Sequence, residues 1–177
     1  YSYGQDKHVG CHPHQTPISL IKGIEVSCNA YFCGIYNKYF SKFNYTIEAY
    51  DTWNKHLTSF GVGNYMNNDF ISGSPGMLPK SSYFEKLYRG SWNANTIISM
   101  AIGQGELLLT PIQMANITAI LANRGFYYTP HIVRSISGQE AIDTNFTKKK
   151  FCTVEPKHFT PIIEGMKEVT TGEHGTA

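Results

Sequence analysis

Apolar residues three and four apart mark most of the helices this chain should form. The clearest case is Thr110-Pro111-Ile112-Gln113 followed by Met114, Ala115, Ile117, Ile120 and Leu121, whose 3.6-residue period turns one stripe toward a core. Thr110 can accept the N–H of Gln113, Pro111 suits the first helical position, and Gln113 can reach back to the Thr110 N–H. Such a capping box is worth about 1 kcal/mol. Asn123-Arg124-Gly125 supplies the stop, with Gly125 free to become left-handed just past the end, so the predicted helix is 111–123. Thr16-Pro17 ahead of Leu20, Ile21 and Ile24 predicts a second helix with the same start, and Thr160-Pro161 ahead of Ile162, Ile163, Met166 and Val169 a third. Helical spacing also runs through 30–40 and 47–60.

Residues 61–82 are rich in Gly, Asn, Ser and Pro and read as an irregular loop, long enough to face a partner or serve function. From Tyr127 to Ser137 apolar and polar residues alternate, with β-branched Ile132, Val133 and Ile136, which predicts a strand turned by Gly138-Gln139-Glu140. Lys148-Lys149-Lys150 reads as a solvated loop, and there is no internal repeat. The order is mostly helical with strand material late. Joined to further strands outside 1–177, it would make an α+β arrangement in which this chain holds mostly the helical subdomain and part of the sheet.

A chain of 177 residues buries roughly 70% of its unfolded surface, enough for one domain or most of one. Hydrophobic residues at 41% and charged residues at 16% are globular values, and a net charge of +2 gives no footprint for nucleic acid or an anionic membrane. No run approaches the roughly 20 apolar residues of a membrane span, and the first residues lack the order of a signal peptide. Any anchor is expected outside 1–177. Cys11, Cys28, Cys33 and Cys152 form no CxxC pair and leave the redox compartment open. Asn-x-Ser/Thr triplets at Asn44, Asn116 and Asn145 are of a kind chance supplies.

Three places could carry chemistry. Ser27-Cys28-Asn29 falls between two helical stretches, Gly103-Gln104-Gly105 precedes the capped helix, and Cys11-His12-Pro13-His14 is a cluster of soft donors. Taken alone, Ser-x-Asn is equally a local cap or loop whose side chains bond the backbone. Gly103, Gln104 and Gly105 read as structural in preference to touching substrate directly, a sharp turn that would hold the following helix against the floor of a site. Cys11, His14 and Cys28, with Asp6 as a fourth ligand, could bind Zn²⁺ and tie the incoming loop to the Ser-x-Asn turn. Against this stands a polar loop with incidental histidines and a buried Cys beside Ser27.

In combination the motifs are specific. Ser27-Cys28-Asn29-Ala30-Tyr31-Phe32 is followed about seventy residues on by Ile102-Gly103-Gln104-Gly105-Glu106-Leu107-Leu108-Leu109-Thr110-Pro111-Ile112-Gln113-Met114-Ala115. This ordered pair resembles the transpeptidase domain of class B penicillin-binding proteins, of the penicillin-binding protein 2 type. The similarity continues through Asn123-Arg124-Gly125, Pro130-His131-Ile132-Val133 and Gly165-Met166 to Gly175-Thr176-Ala177.

That family uses Ser-x-x-Lys, Ser-x-Asn and Lys-[Ser/Thr]-Gly, and the resemblance carries over only the second. It implies that the Ser27 hydroxyl relays a proton between the catalytic lysine and the leaving amine, a role typically worth 100- to 10,000-fold in rate. Asn29 would hold the substrate's peptide backbone, since a carboxamide both donates and accepts. Ser19-Leu20-Ile21-Lys22 spells Ser-x-x-Lys, but one helix would separate Ser19 from Ser27 by about 12 Å, too far for a shared relay. Lys22 reads instead as a solvated lysine. The nucleophile is therefore expected before residue 1 and the Lys-[Ser/Thr]-Gly strand after residue 177, which makes 1–177 a partial transpeptidase domain. The chain alone is expected to be inactive and not acylated by a fluorescent penicillin.

The resemblance further implies a peptidoglycan D,D-transpeptidase, a serine acyltransferase that cross-links stem peptides and is acylated by β-lactams. It implies the periplasmic face of the inner membrane, partners from the elongation machinery, and no required organic cofactor. The alternatives are a non-catalytic β-lactam sensor or binding scaffold of the same fold and, more weakly, a small metal-binding module built on Cys11 to Cys28.

Overall fold

The computed structural model describes residues 1–4, 7–70, 72–138 and 143–177. A short antiparallel pair, β1 (Ser2–Gly4) with β2 (Lys7–His8), leads into α1 (Leu20–Glu25), α2 (Asn29–Phe40) and α3 (Thr46–Ser59). After a long irregular stretch come α4 (Ser81–Leu87), a 3₁₀ helix (Ile98–Ile102), α5 (Pro111–Ala122), β3 (Phe126–Tyr127), α6 (Thr144–Thr147), β4 (Lys150–Phe151), a 3₁₀ turn (Pro156–His158) and α7 (Thr160–Thr171). β3 and β4 pair antiparallel. Helices with two small sheets make an α+β chain, with strand material at both ends of the sequence and not only late.

Aromatic residues form the main core. Cys33, Tyr36 and Phe40 line the inner face of α2 and meet Ala49 and Tyr50 of α3, Phe84 of α4, Trp92, and Ile97, Ile98 and Met100 around the 3₁₀ helix. Tyr50 sits edge-on to both Phe84 and Trp92, with ring centroids 5.3 and 5.6 Å away. Each such ring buried is worth roughly 1.5–3 kcal/mol, before the small gain from edge-to-face contact. The Tyr50 hydroxyl avoids a polar penalty by donating to the Pro79 carbonyl at 2.7 Å.

A second packing joins α1 to α7. Gly165 permits it, because a Cβ there would lie 2.8 Å from Ile24 Cδ1 and 3.3 Å from the Ile21 carbonyl. A Cβ on Gly23 would likewise stand 2.8 Å from the Tyr31 ring of α2. Two glycines thus let α1 fit between its neighbours.

The capping box on α5 is present: Thr110 Oγ1 accepts from Gln113 N and Gln113 Oε1 from Thr110 N. Helices follow the other two Thr-Pro sequences as expected, and Pro161 sits in the first turn of α7, but neither threonine makes a capping box. α1 begins three residues after Pro17, capped by Ser19, whose hydroxyl accepts the Lys22 N–H. In α7, Thr160 is already helical behind Phe159, and its side chain makes no cap. At the C-terminus of α5 the left-handed position goes to Arg124 at φ 56, with Gly125 following at φ 113.

The predicted strand 127–137 is not formed beyond Tyr127. Its partner β4 is two residues long, Pro130 has no N–H to give, and the Ile132 and Val133 amides donate to the Asp69 carboxylate instead of a neighbouring strand. Ile132 and Ile136 are accordingly exposed. Gln139 and Glu140 of the expected turn lie outside the described residues. Lys150 is no solvated loop residue either. It belongs to β4, and its ammonium donates to Thr129 and Asn145 at 2.6 and 2.9 Å, while Lys149 caps the Phe126 ring at 4.2 Å.

Candidate active site

Helix α1 ends in a reversal that explains why Ser27 is conspicuous. The Cys28 N–H returns to the Gly23 carbonyl at 2.9 Å and the Ser27 N–H to Ile24 at 3.1 Å, the paired closing bonds of a helix whose next residue is left-handed. That residue is Ser27, at φ 51. Glycine is the usual occupant of such a position, and a side chain there costs of order 1 kcal/mol unless its surroundings impose it. Ser27 is exposed, and among the described residues its hydroxyl has no hydrogen-bond partner. Two residues on, Asn29 opens α2. Its amide nitrogen donates to the Gly10 carbonyl at 3.0 Å, leaving Oδ1 as an acceptor.

Between them Cys28 points inward, 1% exposed, and its sulfur caps α2 by accepting the Tyr31 N–H at 3.3 Å. The 10–14 segment lies against this bend. Cys11 Sγ is 3.3 Å from Cys28 Sγ and 3.4 Å from His14 Nε2, and His14 Nε2 is 3.0 Å from Cys28 Sγ. The triangle is slightly tighter than the roughly 3.5–3.8 Å edges that tetrahedral bonds of about 2.0–2.3 Å would give. His14 Nδ1 sits 3.0 Å from the Gln15 carbonyl, and donation there leaves Nε2 its lone pair. Two sulfurs and one imidazole nitrogen are a donor set that fits zinc. Asp6, the fourth ligand expected from the sequence, lies outside the described residues. The cysteines carry no disulfide among the described residues.

Burial alone would raise the Cys11 thiol, but the Ala30 N–H, the Cys28 sulfur and His14 outweigh it and bring it down to about 7. Burial pushes Cys28 up. Hydrogen bonding to the Gln15 carbonyl and to Cys11 raises His14.

Gly103, Gln104 and Gly105 stand apart from Ser27 in their bonding. Gly103 closes the 3₁₀ helix at φ 71, the Gln104 N–H returns to Ser99, and Gly105 at φ 73 starts the run toward α5. Because the 3₁₀ helix packs on α2, the turn supports the helix that Asn29 begins. Ser19 and Lys22 are both engaged elsewhere. Ser19 caps α1, and the Lys22 ammonium lies 2.6 Å from Glu25 Oε1, so Lys22 is an ion-pair partner and not the solvated lysine expected. The Lys22 ammonium holds the Glu25 carboxyl below its usual value.

Two polar residues matter to this architecture in ways the sequence reading did not reach. Gln113 is fully buried, and beyond its capping bond its amide nitrogen faces the carbonyls of Gly61, Asn64 and Pro75 at 3.0, 3.2 and 2.9 Å. The Gln-after-Thr-Pro signal marked the cap but not these long-range carbonyls. Glu25 gave no signal at all.

The family model of the penicillin binding protein transpeptidase domain matches residues 1–177. The peptidoglycan D,D-transpeptidase MrdA of Acinetobacter baumannii is 31% identical over 121 residues, 68% of this chain and 17% of that protein. The MrdA of Haemophilus influenzae is 32% identical over 119 residues, 67% and 17% respectively. The chain therefore spans about a sixth of the length of these curated relatives. Among solved structures, penicillin-binding protein 2 of Pseudomonas aeruginosa superimposes with a TM-score of 0.72 at 28% identity, over 90% of this chain and 34% of that one. Penicillin-binding protein 2 of Helicobacter pylori, solved in complex with MreC, gives 0.69 at 26% identity, over 90% and 27%. A full-length match to the family model, with the same fold in relatives of this identity, makes the chain a member of the penicillin-binding protein transpeptidase domain family.

Proposed function

We propose that this chain is part of a peptidoglycan D,D-transpeptidase, in which Ser27 and Asn29 form one wall of the acyl-transfer site. The observation that carries the reading is the bend at Ser27: a serine, not a glycine, holds the left-handed position after α1, with its hydroxyl exposed beside Asn29 and without a partner among the described residues. Retaining a side chain where it costs stability is accounted for if the hydroxyl is needed there. Such a hydroxyl accepts a proton on one lone pair while donating its own, which suits relay between a lysine and the amine leaving a D-Ala-D-Ala bond. Asn29 presents a carbonyl acceptor that can take an N–H of the bound stem peptide. The nucleophilic serine and the Lys-[Ser/Thr]-Gly strand are supplied by parts of the protein outside 1–177. MrdA relatives named as D,D-transpeptidases support this reading, and the complex of the H. pylori protein with MreC supports a place in a protein assembly; a position at the periplasmic face of the inner membrane belongs to the same proposal.

We also propose a structural zinc held by Cys11, His14 and Cys28. When bound, the metal would supply no reaction chemistry here, only a fixed tie. Cys11 and His14 on one side and Cys28 beside Ser27 on the other would hold it, so the tie would lock the 10–14 segment to the start of α2 and orient Asn29 through Gly10.

Labelling of the full-length protein by a fluorescent penicillin tests the enzymatic reading. Wild type is expected to be acylated, and Ser27→Ala to be acylated about 100-fold more slowly, the low end of proton-transfer effects. An unlabelled wild type, or Ser27→Ala at the wild-type rate, would overturn it.

A further inference from the structure

Glu25 is the one buried carboxylate among the described residues, 5% exposed, and it lies two positions before Ser27. Three contacts converge on it from two sides of the fold. Its Oε1 receives the Lys22 ammonium at 2.6 Å and the His174 N–H at 3.3 Å, and its backbone carbonyl accepts the Thr176 hydroxyl at 3.4 Å. Gly172 passes so close that a Cβ there would stand 2.8 Å from the same Oε1. The last turn of α1 is thereby fastened to the segment that follows α7.

A carboxylate is excluded from water only when its charge is met. Here Lys22 meets it from within α1, and a backbone N–H meets it from a segment nearly 150 residues away in sequence. Val26 is the only residue between this anchor and the left-handed bend, and a left-handed serine persists only where neighbouring structure over-determines it. The α1–α7 contact supplies that constraint on one side of the bend, and Glu25 is its polar half.

We propose that Glu25 is a positioning residue for Ser27, fixing the end of α1 against residues 172–176 so that the Ser27 hydroxyl is presented at one place. This rests on Ser27 being an active-site hydroxyl. Glu25 touches no substrate in this role and acts only through the bend.

The test is a double-mutant comparison in the full-length protein, reading the second-order rate of acylation by a fluorescent penicillin. Glu25→Ala is expected to slow acylation about tenfold when Ser27 is present, and by less than about twofold in a Ser27→Ala background, because a residue acting through Ser27 has nothing left to act through. An equal loss in both backgrounds marks general destabilisation and overturns the proposal, as does no loss in either. Should Glu25→Ala fail to fold, Glu25→Gln carries the test. It keeps an acceptor for the His174 N–H and removes only the charge facing Lys22, and a loss of about threefold confined to protein with Ser27 is expected. If wild type is not acylated, the transpeptidase reading falls and this proposal with it. If wild type is acylated, Ser27→Ala is slow and the Glu25 variants are not, the proposal alone falls.

Discussion

His14 Nε2 lies 3.0 Å from the Cys28 sulfur, a direct contact between the 10–14 segment and the bend that carries Ser27. Cys11 is inclined to lose its proton near neutral pH while burial holds the Cys28 proton on, and a second thiolate 3.3 Å from the first would be repelled unless a cation took the charge. Elemental analysis of the full-length protein is expected to give about one zinc per chain. His14→Ala should lower that content severalfold, and chelation should lower the melting temperature of wild type but not of the variant. Metal-free wild type with an unchanged melting temperature on chelation would count against the site.

Gln113 makes a second prediction, about stability alone. Its amide is surrounded by carbonyls from three points of the 61–75 loop, so Gln113→Leu leaves buried acceptors without a donor at about 1–3 kcal/mol each. A loss of about 2–4 kcal/mol in urea unfolding is expected, with Gln113→Glu no better, since a carboxylate would face carbonyls. Loss of less than about 1 kcal/mol for both would show that water replaces the amide freely.

How these residues were or were not legible follows from the range of the interactions. The α5 cap could be read because Thr110, Pro111 and Gln113 satisfy one another within a single turn. The helices at 29–40 and 46–59 could be read because one face of each repeats its apolar residues. The 127–137 strand misled because alternation specifies a face but not a partner, and the amides of Ile132 and Val133 are claimed by Asp69, more than sixty residues earlier. Glu25 was silent for the same reason, its partners His174 and Thr176 lying at the other end of the chain. Within the candidate site, Ser27 and Asn29 stood out by type and spacing, whereas the left-handed backbone at Ser27 is a property of the α1 terminus that spacing does not encode.

Asp69 yields a pH prediction. Partial burial alone would raise its carboxyl, but the Val133 and Ile132 N–H groups override this and hold it below its ordinary value. The folded protein therefore takes up this proton less readily than the unfolded chain. The stabilisation is complete above the usual carboxylate range near pH 4 and is lost as pH falls through the lowered folded value. The difference in urea midpoint between wild type and Asp69→Asn should be constant at neutral pH and shrink only in acid. In wild type the amide proton shifts of Ile132 and Val133 should titrate together below pH 4. Independent titration of the two amides would break the link.

The bend itself makes the sharpest prediction, because stability and chemistry should move in opposite directions. Ser27 occupies the position after α1 at φ 51, where glycine avoids the side-chain penalty. Ser27→Gly is therefore expected to stabilise the protein by about 0.5–1 kcal/mol, despite the extra chain entropy glycine carries when unfolded. Ser27→Ala keeps the steric cost and should leave stability near wild type. Both variants lack the hydroxyl, so both should be acylated about 100-fold more slowly by a fluorescent penicillin. Thermal unfolding measured beside acylation separates the two effects. A more stable Ser27→Gly with impaired acylation means that the serine is retained for its hydroxyl at a cost to the fold. A less stable Ser27→Gly means instead that the side chain supports the bend, and a structural role would then explain its presence without chemistry.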